Sequence, residues 1–373
     1  MRVRDAVLDR QLAKADTATY ERDLDIRDPI SALWIEVYST NGATSNKGNF
    51  ISDIVTKVEI VDGSEVLASA NAKELQALHF FKTGKMPGMF PSEWAGGNQR
   101  EAIPLLFGRR LWDQQYAFDP TVFRNPQLKI TLNKAAVTTA GATGFAAGDN
   151  IYITVVAKIM ENMVGKPGKY LMPKQINAWT STSGDRRIEL PTDYLYRMML
   201  LRAFVAESDI NEVITDLKIT ADSDKFVMAS RKVVDMDAEA LALFGLGTLK
   251  HDFLCSHQDT IRLIFNKEPM LQPYYETDYP RGIGVDWAWS SAAKLFIYDL
   301  ATPTADTTDR NYTIMESGHA PHAILPIPFG LLEDESTWFN PKDFGKIEAV
   351  LTEAVAATCS IMLEQVRPNM KVG

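Results

Sequence analysis

The sequence is poor in cysteine, in clustered basic charge and in long apolar runs, and each shortage removes a class of protein. Two cysteines, Cys255 and Cys359, among 373 residues are too few for a disulfide-stapled scaffold and stand at no metal-ligand spacing. Buried free thiols are expected. With 39 Lys and Arg against 48 Asp and Glu, the formal net charge is -9. No basic run reaches the density that neutralises a phosphate backbone, so specific nucleic-acid binding is not expected. The longest apolar stretches, such as "IYITVVAKIM", fall far short of the roughly 20 residues that cross a bilayer. The opening "MRVRDAVLDRQLAKADTATYERD" has no apolar signal core, so residence in a cytoplasm is expected.

Catalytic signatures are scarce as well. There is no Gly-x-Ser-x-Gly elbow, His-Glu-x-x-His, Walker loop or dinucleotide glycine fingerprint, so neither an enzyme nor a cofactor is expected. Five histidines occur, and "HAPH" sets His319 and His322 three apart. Pro321 disfavours the helical turn that would join them, and no metal site is expected. The acidic stretches "EDEST" and "YYETD" read as solvated surface rather than as a carboxylate pair for hydrolysis.

What is present is a globular composition, 46% hydrophobic and 23% charged, arranged mainly as strand signals. "ALWIEVYS", "IVTKVEIV", "QLKITL", "NIYITVVAKI", "YRMMLLRAFV", "VITDLKIT", "TIRLIF" and "KLFIYDL" are short runs rich in β-branched and aromatic residues, bounded by Gly, Asn, Asp and Pro. Two helices are expected, over "NAKELQALHFFKTG" and "DMDAEALALFGLG", each opening on an Asn or Asp suited to capping and ending near a glycine.

The chain also repeats itself. "ISDIVTKVEIVDGSEVLAS" returns as "INEVITDLKITADSDKFVMAS": Ile51, Ile54, Val58 and Ile60 match Ile210, Val213, Leu217 and Ile219. Ala68-Ser69 then matches Ala229-Ser230, and Glu74, Ala77 and Leu78 match Glu239, Ala242 and Leu243 in the following helix. A second block is chemically more unusual. Pro104, Phe107, Gly108, Phe118, Pro120 and Phe123 return as Pro326, Phe329, Gly330, Phe339, Pro341 and Phe344. A weaker match precedes both, Ile26, Pro29 and Leu33-Trp34 against Ile188, Pro191 and Leu195-Tyr196. Three blocks in one order make a duplication.

The reading is an N-terminal arm over 1–25, a first unit over 26–162, a linker over 163–185 and a second unit over 186–373 with an insertion at about 246–324. The repeat also overrides a local propensity: "KIEAVLTEAVAATCSIMLEQV" is rich in helix formers, yet its counterpart is strand, loop and strand. A hairpin turning near Ala354 to Ala357 is therefore expected. The insertion gathers Tyr274, Tyr275, Tyr279, Trp287 and Trp289, read as a subunit-contact cluster or the core of a projection rather than a sugar-stacking platform.

Each unit then has about eight strands and one short helix, which is an eight-stranded antiparallel sandwich, a jelly roll. The whole is all-β, a tandem double jelly roll. With its duplicated strand-turn-strand-helix block and duplicated Pro-x-x-Phe-Gly followed by Phe-x-Pro-x-x-Phe, the chain resembles the double jelly-roll major capsid proteins of tailless icosahedral viruses, a lineage including tectivirus-like phages, other membrane-containing bacterial viruses and, distantly, adenovirus hexon. The resemblance implies a virion protein made in a host cytoplasm, a homotrimer whose six rolls form a pseudo-hexagonal tile, contacts with neighbouring trimers and with penton or minor capsid proteins, and an N-terminal arm near an internal membrane. From another class, a two-jelly-roll hydrolase acting on glycans or glycoproteins would keep acids and aromatics in a groove between the rolls.

Overall fold

A computed structural model describes residues 1–43, 46, 49–90, 96–138, 144–205, 208–255, 260–262, 265–266, 274–276, 281–286, 292–299 and 310–370; between 248 and 317 it is described by backbone pairing. The first unit contains β1 (Arg2–Lys14), β2 (Thr17–Asp23), β3 (Ile30–Thr40), β4 (Val55–Asp62), β5 (Glu65–Ala70), β6 (Asn98–Leu106), β7 (Pro126–Asn133) and β8 (Ile151–Glu161). They lie in two facing sheets, ordered β1-β8-β3-β6 and β2-β7-β4-β5, with the short strand Met89–Phe90 beside β6. Alternation builds the sandwich. Leu128, Ile130 and Leu132 of β7 and Ile151, Ile153 and Val155 of β8 are buried in one core while the residues between them are not.

The second unit repeats this plan with β9 (Lys169–Thr180), β10 (Gly184–Leu190), β11 (Leu195–Phe204), β12 (Ile214–Ala221), β13 (Phe226–Lys232), β14 (Ile324–Pro328), β15 (Ile347–Glu353) and β16 (Thr358–Pro368). Its sheets are β9-β16-β11-β14 and β10-β15-β12-β13. The chain is a tandem double jelly roll. Single helical turns α1 (Ile51–Ile54) and α3 (Ile210–Val213) precede β4 and β12, and longer helices α2 (Ala72–Thr83) and α4 (Val233–Phe244) follow β5 and β13. Asn71 caps α2 by accepting from Glu74 N at 2.9 Å, and Gly84 ends it at φ 69°. The helix α4 starts earlier than its Asp residues predict, with Lys232 at the cap and no capping side chain.

Several sequence expectations change. Residues 1–25 are not a separate arm: β1 pairs with β8 and β2 with β7, so they supply one strand to each sheet of the first roll. Nor is 163–185 only a linker, because β9 pairs along its whole length with β16. The segment 346–366 is strand, turn and strand as expected, but it is no hairpin. β15 joins one sheet and β16 the other, because a jelly roll passes the chain across the sandwich at this point. The weaker repeat is also out of register. Ile30 and Tyr196 hold equivalent places, bridging Phe118 and Phe339 respectively, which shifts β3 against β11 by four residues from the sequence match. The helices shift by four as well, since Asn71 and Lys232 cap elements of equal length.

The insertion leaves α4 and returns to β14. Gly247–Cys255 runs antiparallel to Arg310–Gly318, and Tyr274–Glu276 adds to the returning strand. Thr260–Arg262 and Arg281–Asp286 flank Ala292–Asp299.

The two rolls meet through one sheet. β5 lies parallel to β9, Ser69 opposite Lys174, so β2-β7-β4-β5 continues into β9-β16-β11-β14. This second half has a core on each face. Met199, Leu201, Ile361 and Leu363 face the second roll, whereas Met198, Leu200 and Met362 pack into the first. That double burial is why "MMLL", Met198 to Leu201, reads as a continuous apolar run rather than an alternation.

Candidate assembly interfaces

The Pro-x-x-Phe-Gly block forms an aromatic box at one end of each roll. Pro104 pairs with Trp34 and Pro326 with Leu200, each in a strand at the open side of its sheet there, where the missing N–H disrupts no ladder. After the strand comes a close turn. A Cβ on Gly108 would stand 2.7 Å from Asp113 Cβ and 3.0 Å from Tyr116 O, and one on Gly330 would stand 2.4 Å from Thr337 O. Only glycine fits either place. The block closes on a short 3-10 turn opened by Pro120 or Pro341, whose caps Asp119 and Asn340 accept from Thr121 N at 3.1 Å and Lys342 N at 3.3 Å.

In the first roll the box is sealed. Phe107 and Phe118 stack at 5.1 Å and Phe118 and Phe123 at 5.2 Å. Tyr170 of β9 stands edge-on to Phe118 at 5.3 Å and donates its hydroxyl hydrogen bond to Leu67 O at 2.9 Å. The second roll supplies the plug for the first. In the second roll Phe339 stacks on Phe344 at 5.5 Å, with Tyr196 of β11 against Phe329 at 5.3 Å. The place that corresponds to Tyr170 is a cavity of about 540 Å³, lined by Ile219, Met228, Phe329, Phe339, Asp343 and Phe344.

The two blocks also meet each other across the seam between rolls. Arg109 pairs with Asp113 at 2.8 Å and donates to Glu333 O at 2.7 Å, Arg110 pairs with Glu333 at 3.0 Å, and Lys169 and Tyr116 both reach Glu335. Of the acids of "EDEST", Glu333 thus meets the arginine loop, Glu335 meets Lys169 of β9 and Tyr116, and Asp334 accepts from Ser336 in its own turn. Deeper in the seam Lys82 of α2 and Arg197 of β11 converge on Glu364 of β16, all fully buried. Burial would raise the Glu364 carboxyl, but Lys82 and Arg197 hold it below the usual carboxylate range, while burial lowers the Lys82 ammonium. At the edge of the seam Arg367 of β16 pairs with Glu65 of β5 and donates to Val66 O at 2.9 Å.

The histidines of "HAPH" face different partners: His319 Nε2 meets Asp237 Oδ1 at 2.9 Å and His322 Nε2 meets Gln76 Oε1 at 2.8 Å, with burial holding His322 well below its ordinary value. Among the described residues no group of three or more His, Cys, Asp or Glu is placed to hold a metal. Of the aromatic cluster in the insertion, Tyr274 and Tyr275 lie opposite Met315 and Ile314 in the strand ladder. Tyr279, Trp287 and Trp289 lie outside the described residues. Sequence reasoning missed Tyr170, Lys82, Arg197 and Glu364; the one available signal was that the first copy of the block carries "GRR" where the second is followed by "EDE".

No protein-family model and no curated protein matches the sequence. The fold has solved counterparts. The major capsid protein of bacteriophage PM2 aligns over 100% of both chains with a TM-score of 0.54 and 10% identity. A chain of the capsid of the virus PBCV-1 aligns over 98% of this chain and 93% of its own, with a TM-score of 0.57 and 10% identity. The major capsid protein of Sulfolobus Turreted Icosahedral Virus covers 98% and 96%, with a TM-score of 0.52 and 12% identity. These likenesses are of fold: two rolls, in this order, along the whole chain.

Proposed function

We infer that the chain is a structural protein of a virion, the major capsid protein of a tailless icosahedral virus, and that it acts by self-association. The observation that carries the reading is the joining of two matching rolls through one continuous sheet. A hexagonal tile needs six similar wedges; a duplicated chain with closed three-fold symmetry provides them from three copies. The solved proteins of this fold named above are capsid proteins. Neighbouring tiles and the proteins at five-fold positions are the further partners of this reading, and the insertion between α4 and β14 is its projecting element. A hydrolase between the rolls is disfavoured because the acids there are engaged: Glu333 with Arg110, Glu335 with Lys169 and Tyr116.

Light scattering on the purified chain tests the reading. The expected mass is about 125 kDa, three times the 41.6 kDa chain; a monomer at every concentration overturns it.

A further inference from the structure

The seam inside the chain is a template for a second seam that the chain leaves open. Inside, β5 receives β9, and Tyr170 fills the box beyond it. By position in the roll, the counterpart of β5 is β13 and the counterpart of β9 is β1. Both are outer strands of their sheets among the described residues. Their registers can be matched residue by residue. Arg2 lies opposite Glu161 as Tyr170 lies opposite Arg367, and Ala6 lies opposite Ala157 as Lys174 lies opposite Leu363. Ser230 faces Lys218 as Ser69 faces Glu59.

Part of this open surface is apolar where the inner seam is charged, while Asp235 keeps the acid of Glu74 and Val227 the valine of Val66. Three charged residues that close the inner seam, Glu65, Lys82 and Arg109, have as counterparts Phe226, Leu243 and Leu331, which are 45%, 55% and 66% exposed. On the facing edge β1 is of mixed character, with Val3 and Val7 exposed among the charged Arg2, Arg4 and Asp5. Strand edges that stay in water are normally protected by charge, and apolar ones are interaction sites or aggregation sites. The apolar patch of Phe226, Val227, Leu243 and Leu331 on the second roll therefore asks for a cover, and the inner seam shows its shape.

Resting on the shell-protein reading, we propose that β13 of one copy receives β1 of the next in parallel, Ser230 opposite Ala6, with Arg2 entering the 540 Å³ cavity to lie over the rings of Phe329 and Phe339 beside Asp343. A guanidinium stacks on aromatic faces while its N–H groups reach a carboxylate, so arginine can replace tyrosine as the plug. Leu243 and Leu331 then lose water where Lys82 and Arg109 make ion pairs. Repeating the same contact three times closes a ring with alternating charged and apolar seams.

The test is cross-linking of the full chain carrying Ala6→Cys and Ser230→Cys with a short bismaleimide, with each single variant as the background for the native cysteines. Covalent species ending at three chains are expected only in the double variant. Val227→Asp on β13 and, independently, Val7→Asp on β1 are each expected to weaken association about tenfold or more, with the circular dichroism of the fold unchanged. Trimers by light scattering with no cross-link above background and no weakening by either Asp variant overturn this pairing and leave the shell reading standing. A monomer at all concentrations overturns both, and a ladder continuing beyond three overturns the closed ring.

Discussion

Gly108 and Gly330 show how much a single repeated residue type can say. Each sits where the chain folds back on itself within contact distance of backbone atoms, and Gly330 also holds φ at 132°, outside the range of ordinary L-residues. The expected result for Gly330→Ala is a loss of about 2–4 kcal/mol in urea unfolding, since strain and overlap add. Gly108→Ala, with overlap alone, is expected to lose about 1–3 kcal/mol. If both variants unfold at the parental midpoint, the box does not depend on these turns. The repeated prolines, phenylalanines and glycines were legible in the sequence because they are rare together; their partner Tyr170 was not, because it belongs to the other roll.

Among the elements, α2 and β16 carry the inner seam through Lys82, Arg197 and Glu364. Two cations share one buried carboxylate, so the three positions are unequal. Glu364→Gln leaves both cations uncompensated and is expected to destabilise by ~3–5 kcal/mol, whereas Lys82→Met leaves the Arg197 pair neutral and is expected to cost clearly less. The double variant Lys82→Met, Glu364→Gln should recover part of the loss, measured by denaturant midpoints in a double-mutant cycle. A double variant whose cost equals the sum of the two single costs would mean that the charges are not coupled.

Strand and helix identity was largely readable at this scale, but register was not. A slip of four residues keeps the same face of a helix and the same face of a strand, so the apolar match stays plausible at the wrong offset. Ile30 against Tyr196 and Asn71 against Lys232 became equivalent only through the backbone. The missing strands have a different cause. β9 contains Pro173, which reads against a strand, and is tolerated where the pairing with β5 amounts to the single step at Lys174. The charged, water-facing β1 lacks the apolar alternation of a half-buried strand.

For the whole molecule, the sheet with two cores decides how it comes apart. Met198, Leu200, Ile324 and Met362 belong to the second roll by chain position and to the first by packing. The first roll's core is completed by the second roll's sheet, and losing the first roll would expose Met198, Leu200 and Met362 on that sheet, so calorimetry is expected to show one unfolding transition with matching calorimetric and van't Hoff enthalpies. Two separated transitions would show that the rolls are independent.

The same shared sheet sets an order on the ribosome. The first roll is written before the second, but its core waits for Met362, about 200 residues beyond the roll's own last strand, which ends at Glu161. Contacts this distant in the chain form late and slowly. A growing chain therefore holds an unfinished first roll until the last strand of the second has been made, and the open edges β1 and β13 take their final shape only on chains that carry both rolls.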